Sequence, residues 1–135
     1  MLSTIAKKFS SKSNRRQTRQ DIELDWKKKT QALLYLIRTG KKDEAIDLAT
    51  ELVEFVEEKF PKDAPEKATT YNNMGMVLML EHDWDLADEC FREALAMRRR
   101  LFGDMHKEVA LTYMNLIELY KQRAYEILSA TKETA

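Results

Sequence analysis

The residues with the means to do chemistry are few and poorly placed for it. Cys90 is the only cysteine, and His82 and His106 are the only histidines. A catalytic thiolate needs a general base beside it, yet the histidines fall in polar breaks at opposite ends of the stretch that carries Cys90. With Phe91 next to it on a helical pattern, Cys90 reads as a small apolar filler. The acids Glu51, Glu54, Glu57 and Glu58 lie on a polar helical face among lysines, which is the pattern of a solvated surface. No metal-ligand spacing, phosphate-binding glycine loop or nucleophile motif is found. No enzymatic activity, cofactor or metal is therefore expected. Arg98-Arg99-Arg100 closes a helical stretch, where cations favour the macrodipole, and reads as a solvated end rather than a phosphate site.

The elements that carry these residues are helices. The 135 residues make one domain-sized chain with 44% apolar and 34% charged residues, and with 3 Gly and 2 Pro it has too few turn residues for an all-β fold. Leu, Glu, Lys, Ala and Met, all strong helix formers, are abundant. The stripe Tyr113, Leu116, Ile117, Tyr120, Ala124, Ile127 and Leu128 follows helical spacing without a break to about residue 130. Earlier stretches are interrupted at Arg38–Lys42 and Glu81–Asp83, and Gly40 suits a left-handed helix cap. Pro65 suits a first helical turn, where no N–H is needed. The pattern predicts five helices, at about 20–39, 43–60, 65–81, 85–102 and 107–131.

The chain also repeats itself. Displaced by 42 residues, Leu36 falls on Leu78, Asp43 on Asp85, Ala45 on Ala87 and Phe60 on Phe102. In the same register Ala68 falls on Ala110, Thr70 on Thr112, Tyr71 on Tyr113 and Asn73 on Asn115. A fixed period of this length marks a stack of helix pairs, each covering the apolar face its neighbour cannot cover alone. The expected fold is all-α, with tandem antiparallel hairpins (two pairs plus a long closing helix over 21–135) stacked as a short superhelix. A closed four- or five-helix bundle is the competing architecture.

Within the middle unit Tyr71, Met74, Gly75, Leu78, Ala87, Phe91 and Ala94 occupy the small and large positions of a motif that resembles the tetratricopeptide repeat. Small Gly75, Ala87 and Ala94 allow close helix approach, and Tyr71, Leu78 and Phe91 fill the gaps. The longer 42-residue period is similar to that of kinesin light chains, on Leu101-Phe102-Gly103-Asp104-Met105-His106 and Ala68-Thr69-Thr70-Tyr71-Asn72-Asn73-Met74-Gly75. Lys107 stands where those repeats have Pro, and in the first unit Lys29, Leu33 and Ala49 replace the aromatic, Gly and Phe.

The resemblance implies a right-handed superhelix whose concave groove binds an extended peptide or partner helix. It points to Asn72, Asn73, Met76, Met79, Leu111, Asn115 and Glu118 as groove residues, with Thr69, Leu80, Met114, Lys121, Leu34, Ile37 and Arg38 beside them. Asn73 and Asn115 would hydrogen-bond a peptide main chain, since an amide both donates and accepts. Met76 and Met79 fit an adaptable apolar site but equally a core. The paired basic and Asn residues that clamp a chaperone's C-terminal carboxylate are missing, because Thr30, Leu34 and Leu111 stand there.

Charge is segregated. Residues 1–20 carry Lys7, Lys8, Lys12, Arg15, Arg16 and Arg19 and no acidic residue, leaving seventeen basic against 23 acidic residues in the rest. This basic arm is open to three readings: a targeting segment, with Leu2, Ile5, Ala6 and Phe9 on one helical side; a contact for nucleic acid or another anionic surface through Lys7, Lys8, Arg15, Arg16 and Arg19; or a solvated tail. No 18-residue apolar run or secretory signal is present, so a cytoplasmic location is expected, with mitochondrial second. Two functions stay open: a protein-binding adaptor, and an accessory subunit of a larger assembly anchored by the arm. Self-association through exposed apolar edges is a further expectation.

Overall fold

The computed structural model describes residues 16–134. These form five α-helices: α1 (Arg19–Arg38), α2 (Lys42–Lys59), α3 (Pro65–Leu80), α4 (Trp84–Phe102) and α5 (Lys107–Thr134). The expected boundaries hold to within three residues. Lys7, Lys8, Lys12 and Arg15 lie outside the described residues.

Each helix packs on the next, α3 also touches α1 and α5, and α1 and α5 do not touch each other. The helices therefore stack in line as an array and do not close into a bundle. Central α3 has neighbours on most sides, which explains why it buries polar as well as apolar residues around its circumference. Ala68, Thr70, Asn72, Asn73, Gly75, Val77 and Leu78 are all buried along it. Outer α4 buries one stripe, Trp84, Ala87, Phe91, Ala94, Met97 and Arg98.

The 42-residue period has a local cause at the helix ends. Gly40 has φ +67°, and His82, its counterpart 42 residues on, has φ +58°. At the first turn the N–H of Gly40 donates to Ile37 O and that of Lys41 to Leu36 O. At the second, His82 donates to Met79 O and Asp83 to Leu78 O in the same geometry. Both α1 and α3 thus end in a left-handed residue that satisfies the last carbonyls and reverses the chain. The third position of this register is Ala124, a strong helix former with no such turn. Accordingly α5 runs on through it to Thr134, a single 28-residue helix where a third hairpin would otherwise turn.

Close packing within the second hairpin depends on Gly75. A Cβ there would lie 2.6 Å from Cε1 of Phe91, and that ring is fully buried. Phe91 joins Leu78, Trp84, Ala87, Leu116 and Leu119 in one core, while Leu33, Ala45, Ala49, Leu52 and Val77 form another between the two hairpins.

Two polar ties hold successive units in register. Thr70 Oγ1 accepts from Trp26 Nε1 at 2.9 Å and donates to Glu66 O at 2.8 Å. Thr112, 42 residues on, accepts from Arg98 Nη1 at 2.7 Å and donates to Glu108 O at 2.8 Å. The arginine triplet is a solvated end at Arg99 and Arg100 but not at Arg98. Arg98 is buried against Glu108 and Thr112, Arg99 pairs with Asp104, and Arg100 makes a two-pronged contact with Asp63. Successive helical residues point about 100° apart, so the three guanidinium groups brace three different segments.

Candidate functional site

One face of the array is lined by α1, α3 and α5. A recess of about 310 Å³ is bounded by Ile37, Lys42, Met76, Met79, Leu80, His82, Asn115, Glu118 and Gln122. A second, of about 490 Å³, is bounded by Gln31, Leu34, Ile37, Arg38 and Met76. Ile37 and Met76 line both, so the two form one trough along the three helices. Its walls are mainly aliphatic and thioether. Arg38 and Lys42 supply positive charge at the α1–α2 turn, and Glu118 supplies negative charge on α5.

Four of the seven expected groove residues meet here: Met76, Met79, Asn115 and Glu118. Met76 and Met79 also pack against the second-hairpin core. They thus border the core and the recess at once.

The asparagines are arranged differently from the expectation. Asn115 Nδ2 donates to Asn72 Oδ1 at 2.8 Å, and Asn72 Nδ2 lies 3.9 Å from Met76 Sδ. This bridge joins α5 to α3 beneath the trough wall and leaves Asn72 buried. Asn73 is buried too, on the stripe of α3 shared with Thr70 and Val77 that faces the first hairpin. It lines neither recess, because one residue along a helix turns the side chain by about 100°. Leu111 is half exposed but lies outside both recesses.

The register of the bridge is informative. In the 42-residue period Asn115 corresponds to Asn73 and Asn72 to Thr30. Thr30 Oγ1 is buried with no hydrogen-bond partner, so the first gap carries a shorter group where the second carries an amide. Residues that sequence reasoning missed are Gln31, Lys42, His82 and Gln122. Gln31 could have been found, since it stands three and seven residues before Leu34 and Arg38 on one helical face. Lys42 and His82 enter only because the turns fold over the end of the trough.

Around the site, Tyr71 and Glu57 link the two hairpins. The Tyr71 hydroxyl donates to Glu57 Oε1 at 2.6 Å, and Lys67 Nζ lies 3.4 Å from Oε2. The Tyr71 bond, reinforced by Lys67, holds the Glu57 carboxyl below its ordinary value. Burial, together with the Glu57 bond, pushes the Tyr71 phenol upward. Burial likewise raises the Cys90 thiol to about 11, which keeps it protonated and poorly nucleophilic near neutrality. On α5, Glu126 accepts from Trp84 Nε1 at 3.1 Å and meets His82 Nδ1 at 2.7 Å, tying the long helix to the α3–α4 turn. Of the arm, Arg16 is exposed, while Arg19 opens α1 and pairs with Glu23 at 3.0 Å. Among the described residues no helix is long and apolar enough to cross a membrane.

A comparison with protein families matches residues 66–128 to the tetratricopeptide repeat. A search of curated proteins finds no match to the chain. The matched span runs from the start of α3 through α4 and most of α5, and α1–α2 extends the same hairpin stacking toward the N-terminus. Tetratricopeptide repeats are non-catalytic modules that mediate contacts between proteins. With hairpins capped alike 42 residues apart, the segment 66–128 of this chain is similar to the tetratricopeptide repeat.

Proposed function

We propose that this protein is an interaction module that holds an extended peptide or a partner helix in the trough formed by α1, α3 and α5. The observation that carries this reading is the continuity of the two recesses through Ile37 and Met76. Together they offer a concave, mostly apolar surface of the kind that accepts ligands, with a few polar groups to orient them. Arg38 and Lys42 favour an acidic group at one end of the ligand, and Glu118 a basic or hydrogen-bond-donating group at the other. Met76 and Met79 can adapt to more than one apolar side chain.

The test is a selection of displayed random peptides on the whole chain, followed by anisotropy titration of the enriched sequences. Leu34→Asp and the double reversal Arg38→Glu with Glu118→Lys alter exposed or half-exposed trough positions with little effect on the core. Enriched peptides should bind each variant at least about tenfold more weakly, a loss of roughly 1.4 kcal/mol. Peptides that bind the variants as tightly as the parent chain would exclude the trough, as would a selection that enriches nothing.

A further inference from the structure

Helix α5 presents a second apolar surface, separate from the trough. Ala110, Tyr113, Ile117, Tyr120, Ala124 and Ile127 are all solvent-exposed on it, with Ile117 64% and Ile127 55% accessible. They alternate three and four residues apart over more than two heptads, the spacing of a coiled-coil contact stripe. Met114 and Leu128, also exposed, border it. The corresponding stripe on α3 carries Tyr71, Gly75 and Leu78, and there α4 covers it through Phe91. Among the described residues, α4 meets the α5 stripe at Tyr120, whose hydroxyl contacts Asp88 and Arg92, and leaves Ile117, Ala124 and Ile127 exposed. At Ala124, where α1 and α3 have their left-handed turn, α5 continues straight on, so Ile127 and Leu128 extend the apolar stripe and its border.

We infer that the occupant of this face is a second copy of the same chain, whose α5 lies antiparallel along it. The stripe is complementary to its own reverse. In an antiparallel pairing centred between Ile117 and Tyr120, Ala110 faces Ile127 of the second copy, and Tyr113 faces Ala124 of the second copy. Ile117 then faces Tyr120 of the second copy, at the centre. Both alanines meet a large side chain, which is the alternation that lets two helices interdigitate. No charged residue sits among the six positions, and the two charges that adjoin the stripe, Asp88 and Arg92 at the Tyr120 hydroxyl, are paired with each other, so the two-fold pairing buries no unmatched charge. Lys121, at the margin, can lay its aliphatic stem along the contact with its ammonium in water. The six large residues of the stripe and its borders are 42–64% accessible, a surface on the scale of the roughly 800 Å² per partner that a standard interface buries. Each copy's C-terminal α5 segment would thereby supply the helix that the other's third hairpin lacks. The contact is isologous, as closed two-fold assemblies require.

The experiment is sedimentation equilibrium of the full chain from about 1 to 100 μM, a span that resolves affinities typical of such an interface. A mass of twice one chain is expected at the upper end. Ile117→Glu and, separately, Leu128→Lys place a charge on the face at positions more than half exposed, so folding is preserved and circular dichroism will confirm it. Each should weaken association by roughly a hundredfold. Register is read by disulfide trapping in a Cys90→Ser background. A mixture of Tyr113→Cys and Ala124→Cys chains should give a covalent dimer, and a mixture of Leu111→Cys and Ala124→Cys chains should not. A chain that stays monomeric throughout overturns the inference, and so does a dimer indifferent to both charged variants. Equal trapping of the two mixtures would refute the antiparallel register.

Discussion

Replacing Gly75 by alanine sets two physical terms against each other. In a helix interior alanine is favoured over glycine by about 1 kcal/mol, and α3 is regular through this position. Propensity alone therefore predicts a stabilised protein. The added Cβ, however, falls 2.6 Å from Cε1 of Phe91 and 2.8 Å from Cδ1 and Cζ, well inside van der Waals contact. The ring cannot move toward solvent, because Phe91 is fully buried among Leu78, Trp84, Ala87, Leu116 and Leu119. Forcing such a core open costs about 1–3 kcal/mol, or more when no side chain can yield. Here the obstruction is a ring face pressed on backbone, so the upper part of that range applies. Set against the propensity gain, the net loss is about 1–2 kcal/mol, or a fall in melting temperature of about 4–8 °C for a domain of this size. Thermal and urea denaturation followed by circular dichroism will measure it. Phe91→Leu in the same background should recover part of the loss, with a coupling of about 1 kcal/mol in the double-mutant cycle. A Gly75→Ala protein that melts at or above the parent temperature would show that the close approach of α3 and α4 does not constrain this position.

Two further outcomes follow from buried polar groups. Thr30→Val removes a hydroxyl with no partner and keeps the shape, so stability should stay equal or rise by about 1 kcal/mol; a loss greater than that in urea denaturation would mean that the hydroxyl is paired. The folded Glu57 carboxyl is held below its ordinary value of 4.5, so its contribution is complete above that pH and disappears as pH falls through the lower folded value. Tyr71→Phe should therefore lower the melting temperature at pH 7 and by progressively less as pH falls below 4.5, and a gap that stays constant down to the acid limit of folding would exclude the Tyr71–Glu57 bond as its source.

Much of the fold was legible because helices advertise themselves locally. The Tyr71, Leu78 and Phe91 positions, the small residues between them, and Gly40 at a helix end all depend on neighbours within a turn or two. The 42-residue register followed from such short-range requirements recurring at the same spacing. The left-handed turn at His82 was less legible, since a histidine rarely adopts that conformation and only the periodic match to Gly40 marks it.

What the linear pattern could not decide was which side of each helix met which neighbour. Asn72 and Asn73 are adjacent and identical in type, yet one bridges to Asn115 beneath the trough and the other turns toward the first hairpin. Arg98, Arg99 and Arg100 read as one basic run but divide among Glu108 and Thr112, Asp104, and Asp63. By itself the sequence determined that there are helices, how they pair and how often the pairing repeats, because those depend on backbone hydrogen bonds and a 3.6-residue period. Only the tertiary structure decided which polar groups are spent inside the protein and which remain on its surface. That choice turns on rotations of about 100° per residue and on partners as many as 44 residues away, as in the bond between Trp26 and Thr70.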